Sequence, residues 1–184
     1  MSIRKTVAAV LLSFCLAALS TAQQATSPSQ TSPQTEDRIK REVRHEILML
    51  PWYGVFDVIG YQVNGANVTL TGAVVKPVTK SDAENSVKRI EGVESVTNQI
   101  EVLPPSSMDD QLRIRLFKAI YGFPSLQKYD LGTIKPIRII VKSGHVSLEG
   151  VVDNQGDKDT AGIRANSVSG IFEVKNNLQV VPQK

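Results

Sequence analysis

With 184 residues, 41% of them hydrophobic and 21% charged, the chain has the composition of a folded globular protein and not of a disordered or fibrous one. Its formal charge of +3 drops to +1 if Arg4 and Lys5 are removed with a leader, too small an excess for a nucleic-acid-binding surface. A single cysteine excludes a disulfide framework.

The chain opens with Arg4 and Lys5, an uncharged run from Thr6 to Leu19, and the small residues Ser20, Thr21 and Ala22. That order predicts a signal peptide over residues 1–22, cleaved near Ala22. Cys15 lies inside the run behind Phe14, where a lipid-modified cysteine needs a small residue before it, so the expected mature chain carries neither a lipid anchor nor a thiol. No other stretch approaches the roughly 18 to 20 apolar residues that a membrane crossing needs, so the mature chain is expected to contain no transmembrane span. Residues 23–36 are almost entirely Gln, Ser, Thr, Pro and Ala, a composition that reads as a disordered tether.

Beyond the tether the chain repeats itself. At a shift of 78, Ala83, Ile90, Gly92, Val93, Val96, Asn98, Ile100 and Val102 meet Ala161, Val168, Gly170, Ile171, Val174, Asn176, Leu178 and Val180. Val68, Leu70 and Gly72 meet Val146, Leu148 and Gly150 likewise, while Gly65 and Gly144 differ by one position, which predicts a small bulge at the first turn. Two modules follow, 37–104 and 109–183.

Each module reads as helix, hairpin, helix, strand. In the first, Ile39, Val43, Ile47 and Leu50 recur at helical spacing and Pro51 stops the helix. Ile59, Tyr61 and Val63 alternate up to Asn64-Gly65, which is expected to form the hairpin turn, and Val68, Leu70 and Gly72 alternate after it. Ser81 with Glu84 predicts a capping box, and Gly92 a helix end with positive φ. Val96, Ile100 and Val102 form a third strand, expected to run parallel to the second. In the second module, Leu112, Leu116 and Ile120 mark the first helix, a longer irregular stretch runs from Gly122 to Pro136, and Asp159 takes the capping position. The expected class is α+β: two tandem αββαβ modules, each a small three-stranded mixed sheet covered on one face by two helices.

Gly65 to Gly72 with Gly92-Val93-Glu94-Ser95-Val96-Thr97-Asn98, and Gly144 to Gly150 with Gly170-Ile171-Phe172-Glu173-Val174-Lys175-Asn176, resemble the two marks of the BON domain, a G-x-V-x-L-x-G hairpin and a G-V-x-x-V-x-N strand. The resemblance covers nearly all of the expected mature chain. It implies a periplasmic or envelope protein linked to osmotic or envelope stress, attached to phospholipid surfaces, with no catalytic residues to carry over. Gly72 and Gly150 read as sites of close helix approach, Gly92 and Gly170 as helix ends, and Asn98 and Asn176 as turn-bracing side chains.

Catalytic chemistry finds little support. His45 and His145 have no second histidine or cysteine at a metal-ligand spacing, so neither a metal nor another cofactor is expected. Residues 153–159 are rich in side-chain oxygens, but their glycine comes too early for a calcium loop and no glutamate closes it. Neither a nucleophile elbow nor a P-loop is present, so the chain reads as no enzyme.

Two surfaces are left as binding candidates. Arg41 and Arg44 on the first helix lead into Trp52 and Tyr53, and Arg113, Arg115 and Lys118 lead into Tyr121 and Phe123. Amphipathic rings beside basic residues suit a bilayer interface. The competing reading makes the charges a solvated face and the rings a seal between the helix and its own sheet. The second module is the more basic, so the expected partner is an anionic phospholipid surface, with a periplasmic envelope protein held in a chaperone-like way as the alternative.

Overall fold

The computed structural model describes residues 33–181, and the signal-peptide reading, Cys15 and residues 23–32 of the tether lie outside them. Helix α1 (Pro33–Leu48) begins inside the stretch assigned by composition to the tether. Ile39, Val43 and Ile47 form its buried stripe, and the ion pairs Arg38–Glu42 (2.7 Å) and Lys40–Glu36 (2.6 Å) lace its outer side.

Strands β1 (Val58–Asn64) and β2 (Asn67–Val74) pair antiparallel, with Val63 opposite Val68 and Tyr61 opposite Leu70. In the second module β5 (Ile137–Lys142) and β6 (His145–Val152) repeat that register, with Val141 opposite Val146 and Ile139 opposite Leu148. The shift of 78 therefore runs through the turns unbroken. Asn64 and Asn67 close the first hairpin as a pair, so its turn is Gly65-Ala66 and not Asn64-Gly65, and the expected bulge is absent. Only the glycine has moved, to the first turn position in one copy and the second in the other. Ser143 takes a left-handed φ of 51° in the second turn, held there by Asp109, whose carboxylate accepts the amides of Ser143 (2.8 Å) and Gly144 (2.9 Å).

The third strand runs parallel to the second, as expected, but in two pieces: β3 (Ser95–Asn98) and β4 (Glu101–Val102), repeated as β7 (Glu173–Asn176) and β8 (Gln179–Val180). Asparagine makes the break. Asn98 accepts from the amide of Ile100 (3.1 Å) and donates to the carbonyl of Lys80 (3.0 Å) on α2 (Pro77–Lys88). Asn176 does the same with Leu178 (3.3 Å) and with Lys158 (2.7 Å) on α4 (Gln155–Asn166). Ile100 and Leu178 just past the break are buried in the two cores.

Three local expectations are corrected. Helix α2 starts at Pro77, whose fixed φ suits the first helical position, so Ser81 lies inside the helix and donates to the carbonyl of Val78 (3.0 Å) instead of capping. Helix α4 is capped by Asn154, which accepts from the amide of Asp157 (2.8 Å), and not by Asp159. Gly72 and Gly150, each with φ of 113°, face the paired strand's backbone and not a helix: an added Cβ would lie 2.2 Å from the Val58 carbonyl oxygen or 2.0 Å from that of Pro136.

Helices α1 and α2 cover one face of the first sheet, while α3 (Ser107–Tyr121) and α4 cover the second. The irregular stretch after α3 forms a 3₁₀ helix, Pro124–Asp130, which adds Leu126 and Tyr129 to the second core. The two modules are joined through the loop between α1 and β1. The amide of Ile139 donates to the carbonyl of Val55 (2.9 Å), and Arg138 donates to the carbonyl of Gly54 (2.6 Å) while lying 4.4 Å from the Tyr53 ring. Val55 and Phe56 pack on the second core, with Phe56 edge-on to Phe117 at 6.5 Å. Strand β5 is consequently buried from Ile137 to Val141, whereas β1 is covered mainly on one face.

Candidate binding surface

Helix α3 begins at Ser106, whose hydroxyl accepts the amide of Asp109 (3.2 Å), and its buried stripe of Leu112, Leu116 and Ile120 fixes which side faces out. Arg115 and Lys118 are both exposed, as is Ile114 beside them (52%). Spaced at i and i+3, the two cations share one face, and neither pairs with a carboxylate among the described residues.

Arg113 and Tyr121, expected on that surface, are buried instead. Arg113 donates to the carbonyl of Val141 (2.6 Å) and to Asp110 (2.5 Å), tying α3 to β5. The Tyr121 hydroxyl donates to the carbonyl of Ile137 (2.6 Å) and accepts its amide (3.2 Å). Burial raises this phenol well above the ordinary tyrosine range. Phe123 is half-buried under the Arg164 guanidinium at 5.0 Å. Arg113 and Tyr121 thus join α3 to its own sheet, while Phe123 packs against α4 through Arg164.

In the first module Arg41 and Arg44 are exposed on α1. Tyr53 is half-buried, its hydroxyl accepting the amide of Ile59 (3.3 Å) while Arg138 covers its ring. Trp52 is 54% exposed and carries the Lys76 ammonium over its face at 4.0 Å. The fold thus brings Arg115 and Lys118 together, keeps Arg41 and Arg44 on another helix, withdraws Arg113 and Tyr121 from solvent, and leaves Tyr53 half-buried.

Four residues that sequence reasoning did not single out organise this region: Asp109, Ile114, Lys76 and Arg138. The unbroken apolar run Ile139-Ile140-Val141 after Arg138 was a signal that β5 is covered on both faces. His45 and His145 are exposed, and His145 faces Glu173 at 3.4 Å. The oxygen-rich stretch 153–159 is occupied by the protein itself: Asp157 pairs with Lys128 (2.8 Å) and Tyr129 (2.6 Å). Among the described residues no group of three His, Cys, Asp or Glu is placed to hold a metal ion, and no helix is long and apolar enough to cross a membrane.

The BON domain model matches residues 35–104 and 126–182, well over half of the sequence. The chain belongs to the BON domain family. The second match begins inside the 3₁₀ helix, so α3 lies outside the matched BON residues although it occupies the place of α1. A BON-containing stretch of 125 residues is 30% identical to osmotically-inducible protein Y of Escherichia coli (strain K12), covering 61% of this chain and 56% of that protein. The chain therefore spans about half the length of this curated relative. Two solved structures of CdsD, a structural protein of the type III secretion system of Chlamydia trachomatis, match at 15% and 16% identity with TM-scores of 0.30 and 0.28. They cover 80% and 77% of this chain, and 94% and 96% of their own, and at those scores carry no argument about this BON protein.

Proposed function

We propose that this BON protein is a non-catalytic periplasmic envelope factor, acting in osmotic or envelope stress, whose second module attaches to anionic phospholipid surfaces. The observation that carries the reading is the outer face of α3, where Arg115 and Lys118 pair with no carboxylate among the described residues and stand beside the exposed side chain of Ile114. Each such cation contributes about 1 kcal/mol near an anionic bilayer, and an exposed aliphatic side chain beside them adds apolar contact with the headgroup boundary. On α1, by contrast, Arg38 and Lys40 are neutralised by Glu42 and Glu36, which leaves Arg41 and Arg44 in a more balanced setting. Kinship with an osmotically inducible protein supports the stress role.

Co-sedimentation with anionic and zwitterionic vesicles tests the proposal. The wild type binds anionic vesicles, Arg115→Glu with Lys118→Glu loses most of that binding at low salt, and Arg41→Glu with Arg44→Glu loses less. Attraction fades as the Debye length shortens to about 8 Å near physiological ionic strength. A second reading, a chaperone-like protein-binding module, draws on β1, which among the described residues ends its sheet with no further strand beside it and offers an edge to an extended client. Equal vesicle binding by all three proteins, or none by the wild type, favours that reading over lipid.

A further inference from the structure

A cleft of about 300 Å³ lies where the two modules meet, lined by Trp52, Phe56 and Val75 of the first and by Ile114 and Arg113 of the second, with Lys76 at its rim. From this cleft we infer a binding site for a single-chain anionic lipid, a fatty-acid-like carboxylate held one molecule at a time. The walls are aromatic and branched aliphatic side chains, which suit an unbranched hydrocarbon chain. The carboxylates in the cleft are already engaged: Asp57 accepts the amides of Gly54 (2.8 Å) and Val75 (2.7 Å), and Asp110 is held by Arg113.

The cations are less fully satisfied. Arg113 is only 3% exposed and its Nε has no hydrogen-bond partner among the described residues. Lys76 pairs with no carboxylate among the described residues and rests on the Trp52 face. The polar groups left to meet a ligand in the cleft, the Arg113 Nε and the Lys76 ammonium, are both cationic donors, whereas its carboxylates already accept hydrogen bonds, which favours an anionic head. The volume sits at the small end of ligand cavities, roughly 300 to 1,000 Å³, which admits one chain and not the paired chains of a diacyl phospholipid. Capture of a free amphiphile here draws on Lys76 and Arg113, and attachment to a bilayer through α3 on Arg115 and Lys118, with Ile114 bordering both surfaces.

Trp52 is the only tryptophan in the chain, so its emission reports on the cleft directly. Full-length protein is titrated with dodecanoate below its micelle concentration, with dodecyl maltoside and dodecyltrimethylammonium as neutral and cationic counterparts. Dodecanoate is expected to give a saturable blue shift at one molecule per chain, and the counterparts none at the same concentrations. Lys76→Gln and Ile114→Glu, both at exposed positions, are expected to weaken dodecanoate at least tenfold while leaving the circular dichroism spectrum unchanged. The α3 variant Arg115→Glu with Lys118→Glu is expected to bind dodecanoate as the wild type does. An unresponsive Trp52, an equal response to all three amphiphiles, undiminished affinity in both cleft variants, or loss in the α3 variant would each overturn the inference. Dodecanoate binding by a protein that ignores vesicles would leave this site standing and remove the membrane reading alone.

Discussion

The amide of Ile139 donates to the carbonyl of Val55 at 2.9 Å, so the edge strand of the second module takes its outer hydrogen bond from a loop of the first. Arg138 reinforces the joint through Gly54 and Tyr53, and it is itself only 7% exposed.

Removing that side chain leaves the Gly54 carbonyl short of a charged donor, a loss of about 1.5 to 3 kcal/mol for a hydrogen bond of this kind. Arg138→Ala is therefore expected to lower the denaturation midpoint and to separate unfolding of the two modules. Scanning calorimetry of both proteins measures it, and a single transition at the wild-type temperature would refute the coupling.

Leu70 and Leu148 are fully buried at corresponding places beneath two helices. Replacing either with alanine leaves a cavity and costs about 2 to 5 kcal/mol. Urea unfolding of each variant gives the number, and a change below about 1 kcal/mol would mean that the neighbours collapse into the space.

Gly150 supplies a conformational test. Alanine there would hold a φ of 113° and place Cβ 2.0 Å from the Pro136 carbonyl oxygen, whereas alanine at Gly60 meets only the Thr71 hydroxyl at 3.0 Å. Strain of this type costs on the order of 1 to 3 kcal/mol before any clash is counted. Gly150→Ala is expected to unfold at markedly lower denaturant than Gly60→Ala, and equal midpoints would contradict the backbone assignment.

Asp157 and Tyr129 set a pH window for the second module. Burial opposes charge on the Asp157 carboxyl, but hydrogen bonds from Lys128, Tyr129 and Asn154 outweigh it and hold the group below its ordinary value of 3.8. A lowered folded-state value stabilises the fold above 3.8 and is lost as pH falls through the depressed titration. Tyr129 is pushed up to about 12, chiefly by burial, so its contribution is complete below pH 10 and is lost between 10 and 12. Thermal melts from pH 2 to 12 should show both flanks, and Asp157→Asn should flatten the acid one. An acid flank unchanged in that variant would assign it to other carboxylates.

The repeat, the hairpin strands and the parallel third strand were legible in the sequence, because apolar alternation over Ile59, Tyr61 and Val63 and its copy is a property of neighbours along the chain. The register of the first hairpin was not, since its turn is Gly65-Ala66 and not Asn64-Gly65. The start of the second helix in each module was read late, since Pro77 acts through φ and outweighs the Ser81-Glu84 pattern, and Asn154 caps through its side chain ahead of Asp159. The binding surface was legible only in part. Arg113 and Arg115 differ by two positions and so point to different sides of α3, one toward Val141 and one to solvent, a distinction that needs the position of β5. Arg138 serves the first module's loop 84 residues away, and no local pattern encodes such a partner.

The Val55 loop also bears on how the protein is made. Synthesis delivers the first module before the second, and domains fold in that order as they emerge. The partner for Ile139 is thus in place when β5 emerges, and an edge that would otherwise recruit neighbouring chains meets its own shield first. Reversing the order of the two modules in a permuted gene would remove that protection.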